Sequence, residues 1–182
     1  MEFEVEQKFR LEDGQQVEAK LAGLGSSFGT PFEQLDQYFA HPCRDFGETD
    51  EALRIRRVGD RAFVTYKGPK IDETTKTRLE IELPLSNGSE GAKGFATLFE
   101  VLGFGRVIQI RKMRRTAHVS WQGRNVEAVL DEVATLGRFV ELELSADSQG
   151  IDAAKRCVAE LANALGLTQN ERRSYLELLL ES

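Results

Sequence analysis

Residues 1–10 read MEFEVEQKFR, and over this stretch charged side chains alternate with apolar ones. Glu2, Glu4, Glu6, Lys8 and Arg10 share one parity. Phe3, Val5 and Phe9 share the other, with Gln7 as the one polar interruption. A period of two belongs to a β-strand with two unlike faces. Residues i and i+2 on one face lie about 7 Å apart, so three successive carboxylates repel one another. The stretch therefore poses a question of neutralisation.

The pattern recurs along the chain. In EALRIRR (51–57), Leu53 and Ile55 oppose Arg54 and Arg56. In AFVTYKG (62–68), Val64 and Tyr66 oppose Thr65 and Lys67. TRLEIELP (77–84) sets Leu79, Ile81 and Leu83 against Arg78, Glu80 and Glu82. VIQIRKMRR (107–115) puts Lys112 and Arg114 on one parity, and NVEAVLDEV (125–133) does the same with Glu127 and Asp131. FVELELS (139–145) sets Val140, Leu142 and Leu144 against Glu141 and Glu143. QLDQYFA (34–40) and TAHVSWQ (116–122) bring the strand candidates to about nine. Like charges about 7 Å apart repel by roughly 2 kcal/mol at an effective dielectric near 20. Several such pairs weigh on a fold whose margin is about 5–15 kcal/mol, so the segregated charge calls for something that neutralises it.

Helical spacing is confined to four stretches. Val17, Leu21 and Leu24 lie in 15–25, and Phe95, Leu98, Phe99 and Leu102 form a stripe in 90–104. Ala154, Cys157, Val158, Leu161 and Leu165 lie in 151–166, and Tyr175, Leu178 and Leu179 in 170–182. Joints such as Gly59-Asp60, Asn87-Gly88 and Gln122-Gly123 carry turn chemistry, and short joints imply antiparallel neighbours. The expected fold is α+β: one domain, 1–182, built as a closed or nearly closed antiparallel β-barrel. It is apolar outside beneath the helices and charged within. A sheet with one wet face is the alternative the pattern leaves open. The polar stretch KIDETTKT (70–77) is expected to be a loop.

With 24 Lys+Arg against 30 Asp+Glu, the net charge of −6 argues against a nonspecific nucleic-acid binder. No apolar run approaches the ~20 residues of a membrane helix, and the expected location is cytoplasmic. Cys43 and Cys157 are too far apart in sequence to form a metal or redox motif. Clustered carboxylates in a lumen suit a hard cation such as Mg²⁺ or Mn²⁺. Arg and Lys suit phosphate oxygens. A lumen with both suits a metal-complexed polyphosphate.

The sequence resembles a known family over essentially its whole length. Glu4-Val-Glu6-Gln-Lys8 has the ExExK form that opens the CYTH superfamily, the triphosphate tunnel metalloenzymes. DQYFAHPCRDFGETDEALRIRR (36–57) is similar to the class IV adenylate cyclase branch. VTYKGPK (64–70), TRLEIEL (77–83), RKMRR (111–115), VLDEVATLGRFVELE (129–143) and RRSYLELL (172–179) follow in family order. The resemblance implies an eight-stranded antiparallel tunnel. It implies Glu4, Glu6, Glu141 and Glu143 as catalytic metal ligands for Mg²⁺ or Mn²⁺, with Asp131 joining them. Lys8, Arg54, Arg56, Lys67, Lys112 and Arg114 would grip the triphosphate, and Arg78 points the same way by parity. Glu80 and Glu82 share that parity, with less defined roles, and Glu2 receives no role. The implied activity is conversion of ATP to cyclic AMP and pyrophosphate. Hydrolysis of inorganic or thiamine triphosphate is the alternative, and a non-catalytic triphosphate-binding module the second. The branch also implies a homodimer.

Other residues read as structural. His41 and Cys43 lack further ligands nearby, His118 and Trp121 read as packing residues, and Gly103-Phe104-Gly105 as a turn. Tyr175 reads as core of the last helix, and Asp36 and Tyr38 as candidates for the tunnel mouth.

Overall fold

The computed structural model describes residues 3–72 and 75–181. Glu2 and part of the polar 70–77 stretch lie outside the described residues. Eight strands and four helices are seen: β1 (Phe3–Leu11), α1 (Gln15–Gly23), β2 (Phe32–Ala40), β3 (Ala52–Val58), β4 (Arg61–Lys67), β5 (Arg78–Leu85), α2 (Gly88–Val101), β6 (Gly105–Trp121), β7 (Arg124–Val133), β8 (Gly137–Ala146), α3 (Ile151–Ala164) and α4 (Tyr175–Leu180). The strands close a barrel in the order β1-β5-β4-β3-β2-β6-β7-β8, and every pairing is antiparallel.

Two of the expected strands, 107–115 and 116–122, are one strand of 17 residues. No turn residue separates Arg115 from Thr116, so nothing breaks the extended backbone. Its first part pairs with β2 and its last part with β7. The β6–β7 hairpin turns at Gln122 and Gly123, both at positive φ (50° and 73°), as a two-residue type I′ turn requires.

The outer face is apolar under the helices, as the alternation predicts. Val5 and Phe9 of β1 meet Val17 and Leu21 of α1, Val140 and Leu142 of β8, and Cys157, Val158 and Leu161 of α3. The stripe expected on α2 is different. Ala92 and Ala96 are the buried residues, with Phe99 packed beside them, whereas Phe95, Leu98 and Leu102 are 39%, 47% and 59% exposed. Small side chains let the helix close on the sheet. At the entry to the helix, a Cβ on Gly91 would lie 2.0 Å from the carbonyl oxygen of Ser86 in the β5–α2 turn, so that turn needs glycine there.

The lumen is not charged throughout. At the end formed by the C-terminal part of β1, lumen-parity residues Tyr38, Ile110, Val133 and Phe139 pack against Tyr175 and Leu178 of α4. Ser174 starts α4 with a capping box to Glu177. One end of the tunnel is thus narrowed by an apolar cluster.

Candidate functional site

Strand register sets the walls. Glu6 pairs with Glu143 and Lys8 with Glu141 across β1–β8. Arg114 pairs with Asp131 across β6–β7, Arg56 with Asp36 across β2–β3 and Lys67 with Glu80 across β4–β5. Glu4, Glu6, Lys8, Arg54, Arg56, Lys67, Arg78, Lys112, Arg114, Glu141 and Glu143 all line one cavity. Asp131 is fully buried against this wall, held by Lys112, Arg114 and the Tyr175 hydroxyl.

The five acids fall into two groups. Glu4, Glu6 and Glu143 converge, with one carboxylate oxygen from each within 4.8 Å of the others. Burial pushes the Glu143 carboxyl well above the usual carboxylate range, and Glu4, Glu141 and Glu6 add to the effect against Arg114. Among the described residues the Glu143 carboxylate makes no hydrogen bond or ion pair. Burial also raises Glu4, although Lys67 opposes it. Glu141 and Asp131 are ion-paired with the basic wall. Arg114 grips Asp131 with two nitrogens (2.7 and 2.6 Å) and Glu141 with one of them (2.8 Å). Lys112 reaches Asp131 at 3.0 Å. For both acids burial would raise the carboxyl, but Arg114 and Lys112 win and hold it below its ordinary value. Three converging carboxylates, one without a cationic partner, fit a hard divalent cation. Arg114 holds only one oxygen of Glu141, whereas Lys112, Arg114 and the Tyr175 hydroxyl between them engage both oxygens of Asp131.

Internal cations occupy the other two members of the cluster. Lys67 bonds Glu4 and lies 2.6 Å from Glu80. Burial opposes Glu80 ionisation, but Lys67 lowers this carboxyl to about 2. Lys76 bonds Glu6, a contact that the sequence reading missed. Lys76 lies in the loop before β5, where no strand alternation marks which way a side chain faces. Asp36 braces the basic wall through a two-pronged bond to Arg56 (2.8 and 2.9 Å). Arg78 is 5% exposed, and its side chain has no ion pair or hydrogen bond among the described residues. Its Nε, like that of Arg54, is buried without a partner. Buried donors left in this way cost about 1–3 kcal/mol or more each, so the wall is poised for an anion. Burial lowers the Lys8 and Lys112 ammonium groups, with nearby Lys76 and Arg114 the next largest causes.

Tyr175, expected as core, is buried and also lines the tunnel. Its hydroxyl donates to Asp131 at 3.1 Å, and the Lys8 and Lys112 Nζ atoms lie 4.0 and 4.9 Å from its ring centroid. Tyr38 lines the tunnel too, its hydroxyl accepting from Arg54 at 3.4 Å. His41 and Cys43 keep a loop role. The Cys43 amide donates to His41 Nδ1 at 3.1 Å, and the imidazole packs on Phe46 and Phe104.

Only about 60 Å³ remains between the charged side chains, room for a few waters. Two larger cavities adjoin it. One, of about 450 Å³, shares Glu4, Arg56, Arg114 and Glu143 with the tunnel. The other, of about 640 Å³, lies by the 39–53 segment and shares Ala52, Arg78 and Ser174. The acid cluster is therefore at the first of these mouths.

A closed antiparallel barrel that faces carboxylates with guanidinium and ammonium groups is a charged-tunnel protein. The chain belongs to the CYTH domain family, whose model matches residues 2–175. It is 42% identical over 179 residues (97% of this chain, 98% of the relative) to a Methanocaldococcus jannaschii protein named "Putative adenylate cyclase". A solved Pyrococcus horikoshii structure shares 41% identity at a TM-score of 0.84 and covers 98% of each chain. A Hippeastrum protein, named a "Putative adenylyl cyclase" and described as revealing a dominant triphosphatase activity, shares the fold. It matches with 16% identity and a TM-score of 0.69, over 100% of this chain and 96% of its own.

Among the described residues no helix is long and apolar enough to cross a membrane.

Proposed function

We propose that this protein is a divalent-metal-dependent enzyme of triphosphates that converts ATP to cyclic AMP and pyrophosphate. The observation that carries the reading is the position of the acid cluster. Glu4 and Glu143 line the 450 Å³ mouth as well as the tunnel, while Lys8, Lys112 and Arg54 lie further in. A nucleotide entering terminal phosphate first puts its β- and γ-phosphates among Arg54, Arg56, Lys112 and Arg114. The α-phosphorus then comes to rest at the acids, with the ribose in the mouth. The ribose 3′-oxygen bonds to the α-phosphorus, the bond to the bridging oxygen of the β-phosphate breaks, and pyrophosphate leaves. The hydroxyl proton passes to water at the mouth. A divalent cation held by Glu4, Glu6 and Glu143 would supply neutralising charge and polarise phosphoryl oxygens. The basic wall orients the chain and stabilises the leaving group. Because so little space remains in the tunnel, loading must part Lys67 from Glu4 and Lys76 from Glu6, which frees both lysines for phosphate. The name of the Methanocaldococcus relative supports this reading.

Hydrolysis of a triphosphate is the second reading, favoured by the activity described for the Hippeastrum protein. It needs the terminal phosphorus at the acids instead. Phosphorus NMR of separate incubations with ATP and inorganic triphosphate, each with Mg²⁺ or Mn²⁺, tests the choice. Cyclic AMP and pyrophosphate are expected from ATP. Rapid orthophosphate release from inorganic triphosphate without cyclic AMP from ATP would replace the cyclase by the hydrolase. In either case calorimetry should show AMP binding far more weakly than ATP, because one phosphate cannot span the wall. Equal affinities would exclude a triphosphate site.

A further inference from the structure

The lumen parity of β2, β3 and β4 is polar from Gln34 to Tyr38, from Arg54 to Arg56 and from Thr65 to Lys67. At the acid-bearing mouth it changes, and the next lumen positions are Phe32, Val58 and Phe63. The register makes these three diagonal neighbours. Val58 pairs with Gln34, two residues from Phe32, and Phe63 pairs with Arg56, two residues from Val58. All three line the 450 Å³ mouth and are only partly buried. In the closed strand order β3 lies opposite β8, so the apolar strip faces Glu143 and Ser145 across the opening. An aromatic strip on the polar parity of a barrel gains nothing from core packing and leaves apolar surface in water. A flat ring laid on it would recover that surface, and aromatic faces hold bases by stacking, at about 1–3 kcal/mol per base. The volume suits a nucleoside, since ligand sites run from roughly 300 to 1,000 Å³.

We infer that Phe32, Val58 and Phe63 form the base-binding subsite, so that the substrate is a nucleoside triphosphate whose purine ring stacks at the acid-bearing mouth. The inference rests on the triphosphate reading above and adds to it the side chains that hold the base and the preference for purines that they impose. A stacking strip reads ring area rather than hydrogen-bonding edges, so it favours ATP and GTP over CTP and UTP.

Calorimetry with ATP, the other three nucleotides and inorganic triphosphate, each with Mg²⁺, tests this in the wild type and in Phe32→Ala, Phe63→Ala and Phe63→Leu. Val107→Glu serves as a control at the 640 Å³ cavity, where Val107 is 42% exposed. The alanine variants should lose at least fivefold in ATP affinity and less than twofold in inorganic triphosphate affinity, and Phe63→Leu should fall between wild type and Phe63→Ala. Should the alanine variants not fold, wild-type protein still decides. Saturation of its aromatic protons should transfer to the adenine protons of ATP, and purine nucleotides should bind tighter than pyrimidine ones. Equal ATP affinity in wild type and Phe63→Ala, or a selective ATP loss in Val107→Glu alone, overturns the subsite but leaves the triphosphate reading standing. Absence of binding by both ATP and inorganic triphosphate in the wild type overturns the triphosphate reading itself.

Discussion

Replacing Glu143 with Gln is expected to make the metal-free protein more stable while removing its metal-dependent turnover. The carboxylate sits among Glu4, Glu6 and Glu141 and has no hydrogen bond or ion pair of its own among the described residues. A like-charge contact of this kind costs on the order of 1–3 kcal/mol at an effective dielectric near 20. For a chain of this size each kcal/mol moves the midpoint by about 2–4 °C. The pH dependence has a definite sign. The folded carboxyl titrates above its unfolded value of 4.5, so the folded state binds more protons across that interval. Below 4.5 the carboxyl is protonated in both states and the substitution changes little. As pH rises through the raised folded value, the wild type loses stability that the Gln variant keeps. The variant's advantage should therefore grow with pH across that window and then level off. Turnover should fall by at least about 100-fold, since ligand loss exceeds the 10–100-fold of outer-sphere changes. Added Mn²⁺ should raise the wild-type midpoint and leave that of the variant unchanged. A variant less stable than the wild type at pH 8, or one that still responds to Mn²⁺, removes Glu143 from the cation site. Glu6→Gln should behave in the opposite way without metal, because it strands the buried Lys76 ammonium that Glu6 now neutralises.

The second large effect is expected at Arg114. Its guanidinium holds Asp131, which is 0% exposed, and Glu141, which is 5% exposed. Arg114→Ala leaves both carboxylates short of their main partner, and breaking a buried pair from one side costs about 3–5 kcal/mol. Chemical denaturation should show a loss of that order, and the remaining folded protein should bind triphosphate at least tenfold more weakly. The double variant Arg114→Ala, Asp131→Asn should recover part of the stability and none of the binding. A stability loss under about 1 kcal/mol would mean that Lys112 and Tyr175 suffice to hold Asp131, and the network would not be centred on Arg114.

The barrel was legible in the sequence because a strand's period of two sorts residues by face wherever the two faces meet different surroundings. The alternation in 3–9, 53–57, 79–83 and 140–144 showed two faces, and the repeated like-charge pairs on one of them gave the lumen its contents. Strand number was less legible. Period two carries no mark where one partner strand ends and another begins, so β6 read as two strands. The α2 stripe was misread because hydrophobicity ranks Phe95 and Leu98 above Ala92 and Ala96, whereas steric closeness favoured the alanines.

Parity placed Glu4, Glu6, Asp131, Glu141 and Glu143 on one lumen but could not divide them. Sequence determined which residues face inward, since that depends only on neighbours along one strand. Tertiary structure decided which inward residues pair, since that depends on register and on the reach of side chains across the barrel. Arg114 spans to both Asp131 and Glu141 and pairs them with the basic wall, while Glu4, Glu6 and Glu143 converge on one another. Lys76 reaches Glu6 from a loop that no strand period covers. The position of Glu4 and Glu143 at one mouth, beside Phe32, Val58 and Phe63, is likewise set by strand tilt and closure, which no single strand encodes.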